Sequence, residues 1–520
     1  MLKNHSQIAW RNLLKNKWYS SKEAATVFKT LLLALLIQGG NVNSAWAQDT
    51  IIYQPEAMQA DLNKFKTVLI KTHPGLYTHQ THKEFEELMS SLMQETSKPL
   101  KATCYYKVLH KMVANIHDGH TNVQAFDKLA GAIYNQKWLP FQVYVKDQRI
   151  FIVKNMSNIV LPEGSEILSI DGRLSNEILH EILEHYSSDG RSQNGIIHSL
   201  EDSFFTAFYK IYPRVFEEKS FYNVSYRDYN SKKISTVVVE PISQKTFEAK
   251  KAEKYPSKNA NNEAFNFEVN KRGNYAILKI NRFFKDSFTE PENTFPDYYK
   301  KCFKEISGNN IQNLVIDLRG NEGGKSENAA YLLRYFIDKP IIPAKEISTL
   351  VNSKSFFDAT GLEIELDKRY HLVRKDNGNF KVTKTDGVRE LESFKPIKEN
   401  HFHGKVVVLI DGGTVSAGGH AAGFFKEYTN AVLVGSETGG YAGTSNGVEM
   451  RSIRGNHTET AIRIPLLHGV YAVNEAIQKR GAIPDYQISN SVQDLLDNRD
   501  TALDFVLTEL LRTKIRLVKE

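Results

Sequence analysis

Two glycine-rich turns carry the residues of this chain best suited to chemistry. In the first, Asn313-Leu-Val-Ile-Asp-Leu-Arg-Gly-Asn-Glu-Gly-Gly324, an apolar run ends in Asp317 and Arg319 and passes into glycines. Glycine tolerates unusual backbone angles and lets a ligand approach the main chain, and successive N–H groups in such a bend can hold a negative oxygen. The bland alternative is a strand-to-helix turn with a structural Asp317–Arg319 pair. Gly324-Lys325-Ser326 imitates the end of a phosphate-binding loop. However, that motif's first glycine would fall at Arg319, and Gly320 is one residue too close. In the second turn, Val406-Val-Val-Leu-Ile-Asp-Gly-Gly-Thr-Val-Ser-Ala-Gly-Gly-His420, Ser416 stands near a helix start among residues too small to shield it. A serine there is either a helix N-cap or a nucleophile on a sharp turn, with the next residue's N–H facing the oxyanion. The local residues leave both readings open.

A nucleophilic serine needs a base. His420, four residues on, shares a helix face with Ser416 but reads more simply as packing. Lys426 reads as a solvated helix residue and His468 as part of a strand-like stretch. His120 follows the turn-forming pair Asp118-Gly119, so it lies at a helix end or in a loop.

Around these residues the chain reads as blocks. Residues 49–130 have helical spacing (Leu62, Phe65, Val68, Leu69; then Phe85, Leu88, Leu92), broken by His73-Pro74-Gly75. Residues 138–190 alternate in the strand manner around an Asp171-Gly172 turn. Residues 196–265 are aromatic-rich strands followed by a polar connection, Glu248–Glu263, read as a linker. In residues 266–500 buried apolar strands alternate with helices, which predicts an α/β layer with largely parallel strands. A helix is expected from Ala502 to Leu517, within the last segment, 501–520.

The 520 residues are 41% apolar and 24% charged, an ordinary globular composition. The net charge of +7 is concentrated at the start, where residues 1–47 hold six Lys/Arg and one acid. The body is close to neutral, which argues against nucleic-acid binding. Two cysteines, Cys104 and Cys302, cannot build a disulfide scaffold or a Cys-based zinc site. No metal or cofactor is expected, because no ligand set of the required spacing is present. Lys29, the apolar run Leu31–Ile37 and the small residues of Ala45-Trp46-Ala47 describe an export signal cleaved before Gln48. Trp10, Leu14 and Trp18 recur every four residues among basic groups, as in an interfacial helix. The expected location is the periplasm or cell envelope, with membrane contact only through this segment if it is retained.

The two turns, in this order and about a hundred residues apart, resemble those of the C-terminal processing, or tail-specific, serine proteases. The matching pieces are Val315-Ile316-Asp317-Leu318-Arg319-Gly320-Asn321 with Gly323-Gly324, Gly413-Thr414-Val415-Ser416-Ala417, Ala431 through Gly440, and Gly481-Ala-Ile-Pro-Asp485. Upstream, His73-Pro74-Gly75-Leu76-Tyr77 and Asp118-Gly119-His120-Thr121 resemble the helical leader of Bacteroidetes-type members. The stretch from Leu161 to Leu183 resembles the second half of a PDZ domain without its carboxylate-binding loop. The resemblance implies a crotonase-like (ClpP-like) catalytic core over 266–500, a PDZ-like module at 138–190, and hydrolysis of polypeptide substrates. It implies Ser416 as nucleophile and the amides of Ala417, Gly323 and Gly324 as oxyanion hole. Many members carry a lysine base about 25 residues past the serine, where this chain has Tyr441. Tricorn-like relatives use a leader histidine, which corresponds to His120, whose imidazole suits proton transfer near neutral pH. The orienting acid of those relatives falls at Gln478, with Glu475 one turn away.

Overall fold

Strands Tyr275–Ile280, Asn313–Asp317, Lys405–Ile410 and Val432–Gly435 run parallel, with Val315 in register with Ile277 on one side and Val407 on the other. Asn313–Asp317 and Lys405–Ile410 are buried along almost their whole length, as a sheet covered on both faces requires. Phe265–Asn270 adds an antiparallel edge, and Tyr486–Gln487 extends the other side in parallel. The computed structural model describes residues 51–512 except 187, 203–205, 257–264, 285–293 and 386–388. The expected export signal and the end of the C-terminal helix lie outside the described residues. The segments Thr50–Phe284 and Phe295–Glu520 belong to one compact unit.

Helices Phe295–Gly308, Ser326–Leu333 and Ala417–Tyr428 pack successively on one another beside this sheet. Thr501–Phe505 and the π-helical turn Val506–Leu510 place Ala502 and Val506 on Val315, Val407, Leu409 and Val434. The expected parallel layer is therefore present. A second, antiparallel sheet (order Tyr370–Arg374, Phe380–Thr385, Ala344–Thr349, His468–Tyr471, Thr444–Ser445) is built from strands too short and polar to stand out in the sequence.

The leader is helical, as expected, through Pro55–Thr72, His82–Glu95 and Ala102–Ala114. Its strand Asn122–Ala125 pairs antiparallel with Thr460–Pro465, so the leader is hydrogen-bonded into the catalytic block. Glu459 locks the join: its carbonyl accepts from Phe126 and its side chain accepts the Leu129 N–H at 2.7 Å. Buried Asp61 on the first helix adds a second fastening, accepting the amides of Asn456 and Thr458 and the Thr458 hydroxyl.

The β-module is larger than residues 138–190. Strands Tyr222–Arg227 and Ile234–Val239 continue its sheet beside Glu166–Ile170, and Tyr222, Val224 and Val239 share its core with Ile150, Ile167 and Ile178. Without them Glu166–Ile170 would be an open edge, so no boundary falls at 190. The expected linker also needs correction, because Gln244–Lys254 is a helix capped by Ser243. Its composition is polar, but fully buried Phe247 stacks on Tyr209 at 4.3 Å and meets Trp138 edge-on. Among the described residues no helix is long and apolar enough to cross a membrane.

Candidate active site

Both glycine-rich turns leave the carboxyl ends of adjacent parallel strands, the usual ligand position on an open α/β sheet. Asp411 ties them together: its Oδ1 accepts the N–H of Gly413 in its own turn and of Gly320 in the other, both at 2.9 Å. Thr414 adds a bond from its hydroxyl to the Leu318 carbonyl at 2.8 Å. Arg319 forks onto Asp317 and Asp500, so the structural Asp317–Arg319 pair weighed as the alternative exists, and it anchors the C-terminal helix as well.

Ser416 has φ +52° and ψ −125°. A non-glycine residue held there costs of order 1–3 kcal/mol and persists only where its surroundings enforce it. Here Val415 N–H donates to the Asn321 carbonyl at 2.9 Å, and the Ser416 carbonyl accepts His420 N–H. Ser416 occupies the N-cap position of Ala417–Tyr428, yet its side chain makes no capping hydrogen bond. The residue is partly exposed, on a sharp bend. The side chain therefore does not cap the helix, and the hydroxyl is left uncommitted at the bend.

Gly323 lies against the serine. A Cβ there would come within 2.5 Å of Ser416 Cβ and 3.0 Å of its Oγ. Its own N–H, however, donates to Asn321 Oδ1 at 2.9 Å. The expected oxyanion trio is thus only partly available: among the described residues Gly323 is engaged, while no acceptor takes the amides of Gly324 and Ala417. Fully buried Asn321 was not singled out from sequence. Its side chain also donates to the Ile280 carbonyl at 2.7 Å, so one residue links the neighbouring strand and the glycine turn through its side chain and the serine bend through its carbonyl.

His120 lies on the turn before the leader strand, and Gly447 makes room for its ring, since a Cβ there would come within 2.4 Å of Nε2. Its Nδ1 faces two carboxylates, Asp118 Oδ1 at 3.4 Å and Asp189 Oδ1 at 3.8 Å. Burial would lower the imidazole pKa, but contact with Asp118 and the charges of Asp189 and Asp118 outweigh it and raise it to about 9. Asp118 is rigidly held. His73 Nδ1 accepts the Gly75 N–H, so its Nε2 carries the proton, 2.8 Å from the Thr121 hydroxyl oxygen and 3.1 Å from Asp118 Oδ2. The Thr121 hydroxyl donates to the same oxygen at 2.9 Å, and His120 N–H donates to Oδ1 at 3.0 Å. Burial opposes ionisation of Asp118, yet the bonds from His120 and His73 keep its pKa well below the usual carboxylate range.

The other candidates are placed elsewhere. Glu475 is an exposed residue of the short helix Glu475–Ile477. Gln478 follows it, its side-chain amide directed at the Val473 carbonyl at 3.4 Å. Neither stands against His120; the acids there are Asp118, in the leader motif itself, and Asp189, a residue far away in sequence. His420 is buried, with Nδ1 on the Ser326 hydroxyl at 2.7 Å and Nε2 facing the Thr444 carbonyl at 3.2 Å. Burial pushes its pKa down to about 3. It is a packing residue. His468 Nδ1 is paired with Asn446 and Lys426 with Asp485. Tyr441, at the position of the relatives' lysine, is buried and hydrogen-bonds through its hydroxyl to His79. Asp118, His120 and Asp189 offer three ligand atoms within 4.8 Å of one another, a set that could hold a small cation. Most oxygen lone pairs there are already directed at protein donors.

A serine on a positive-φ bend, turn amides with no described acceptor and a carboxylate-flanked imidazole on the leader are groups of the kind a serine hydrolase uses. Residues 274–488 match the model of peptidase family S41, and this segment is a domain of that serine-type peptidase family. Over 176 residues the chain is 26% identical to the nisin-resistance protein of Lactococcus lactis subsp. lactis, matching 34% of this chain and spanning 46% of that protein's length. The fold is similar to that of mature CPAF complexed with lactacystin, with a TM-score of 0.59 and 14% identity over 88% of this chain and 98% of that one. Mature CPAF alone gives a TM-score of 0.58 at 13% identity, over 88% of this chain and 97% of that one.

Proposed function

We propose that this chain is a serine peptidase of the cell envelope that hydrolyses polypeptides through an acyl-enzyme on Ser416. The observation that carries this reading is the positive-φ bend at Ser416, packed against Gly323, with the neighbouring amides of Ala417 and Gly324 meeting no acceptor among the described residues. With Nδ1 turned to Asp118 and Asp189, Nε2 is the nitrogen left for proton transfer. In its neutral form His120 takes the hydroxyl proton as Oγ bonds to the substrate carbonyl carbon. The oxyanion rests on the two amides, each such donor being worth about 10²–10³ in rate. Collapse breaks the C–N bond, and His120 returns the proton to the leaving amine. Water then hydrolyses the ester by the same exchange. The β-module supplies a PDZ-like peptide-holding surface, and the export signal before Gln48 sets the location, which N-terminal sequencing of exported protein tests.

A fluorophosphonate probe tests the chemistry. Wild type is expected to be labelled covalently and Ser416→Ala not at all. His120→Ala is expected to lose about 10²–10⁴ in turnover while remaining folded. A folded wild type that takes up no probe would make the chain an inert peptide-binding scaffold of the same fold.

A further inference from the structure

We infer that Asp189 is a positioning residue of the catalytic centre, its carboxylate holding the His120 ring and the Gly440–Tyr441 backbone in one arrangement. This rests on the roles proposed for Ser416 and His120 and extends them to a segment outside the family domain. Asp189 lies just after the β-module helix Ser175–His185. It is only 6% exposed. Its Oδ1 accepts the Gly119 N–H at 2.8 Å and faces His120 Nδ1, while Oδ2 faces the Tyr441 N–H at 3.5 Å. Gly440, the residue before Tyr441, is packed against the nucleophile so closely that a Cβ there would come within 2.5 Å of Ser416 N. The neighbouring Gly190 N–H donates to the His117 carbonyl at 2.9 Å, fixing the segment to the base loop. Asp189 therefore touches both halves of the machinery.

The two carboxylates at His120 are not equivalent. Asp118 also takes the Thr121 hydroxyl and the His120 backbone N–H and has His73 beside it, so the ring is one of several groups that serve it. Among the described residues Asp189 has two backbone donors, and a buried carboxylate so served keeps its charge best with a cation beside it. Among the described residues the one ionisable cation beside it is His120. Burial and the Asp118 charge raise the Asp189 pKa, and His120 opposes them. The ring and Asp189 consequently sustain each other's charge. His120 Nδ1 is buried with no acceptor in hydrogen-bond geometry, so it sits between the two acids rather than bonded to one. The other groups acting on the ring are Arg463, on the strand Thr460–Pro465, and His420, on the nucleophile helix; His73 lies behind Asp118. The same segment continues along the serine turn, with the Asn194 carbonyl against Gly412 and Gly195 against Gly439.

The test uses the full chain and Asp189→Asn, which keeps an acceptor for Gly119 but removes the charge. His120 is followed by NMR with ¹³C-labelled histidine, its signal identified by its loss in His120→Ala. The His120 midpoint is expected to fall by about one unit or more, and the acid limb of the kcat/KM profile to move to lower pH with it. kcat should fall about tenfold or more, because the ring is less well held, while KM changes little. Asp189→Glu, which keeps the charge, should return the midpoint toward that of wild type; a packing role would make it as damaging as Asn. An Asn variant whose midpoint stays within about 0.3 unit of wild type overturns the proposal. So does a wild-type midpoint at or below the ordinary 6.5, whether or not the variant folds. The NMR readout needs no turnover, so its failure is distinct from failure of Ser416 to react.

Discussion

Replacing Gly323 with alanine separates contact from backbone strain at the nucleophile. The new Cβ would stand 2.5 Å from Ser416 Cβ and 3.0 Å from both Ser416 Oγ and the Val415 carbonyl. Relaxed carbon–carbon contacts lie at roughly 3.5–4.0 Å, so relief needs a shift of about 1 Å. A misplacement of that size costs on the order of 10²-fold in rate. The substitution also carries a backbone cost, since φ at Gly323 is +88° and an L-residue pays roughly 1–2 kcal/mol there. Gly320→Ala is the matched control. Its φ is +67° and nothing lies within 4 Å of its Cβ, so it meets the strain without the collision. Both variants should melt lower than wild type, whereas only Gly323→Ala should lose about 10²-fold in its second-order rate with a fluorophosphonate and in peptide turnover. The reasoning is refuted if Gly323→Ala reacts within about threefold of Gly320→Ala.

Two further substitutions probe what holds the site. Asn321→Ala removes the bonds to Ile280 and Gly323 at once; we expect about 2 kcal/mol of lost stability by chemical denaturation and a slower fluorophosphonate reaction, and unchanged reactivity would detach Asn321 from the nucleophile bend. Asp61→Ala strands the Asn456 and Thr458 donors where the leader meets the catalytic block. A loss of about 3 kcal/mol is expected, with hydrogen exchange rising first in Asn122–Ala125 and Thr460–Pro465, and uniform exchange across the chain would argue against a local fastening.

Much of the central sheet was legible because Leu314-Val-Ile and Val406-Val-Val-Leu-Ile are unbroken apolar runs, the pattern of strands buried on both faces. The serine turn was legible as a cluster of small residues, but Ser416 itself carries no mark of its positive φ, and the distant glycines Gly323 and Gly440 that pack against it could not be paired with it from sequence. Asp189 was illegible for a related reason. It lies in an unremarkable polar stretch and reaches His120 only because the module's exit segment folds back onto the base loop. Glu475 and Gln478 followed from positions in relatives, and spacing along a chain does not say where a short helix points its side chains. The helix Gln244–Lys254 was hidden by its lysines and glutamates, which conceal the single anchoring Phe247.

The pairing of Asn122–Ala125 with Thr460–Pro465 bears on how this polypeptide is made. The ring and the hydroxyl proposed to react together lie about three hundred residues apart in the chain, and the strand that seats the ring closes only on a hairpin still later than the serine. A chain emerging from the ribosome N-terminus first therefore holds no assembled centre until synthesis has passed Thr460–Pro465. Long-range closure of this kind is slow and entropically late, and it keeps the cutting function silent through the period when the nascent chain is itself unfolded and most easily cleaved.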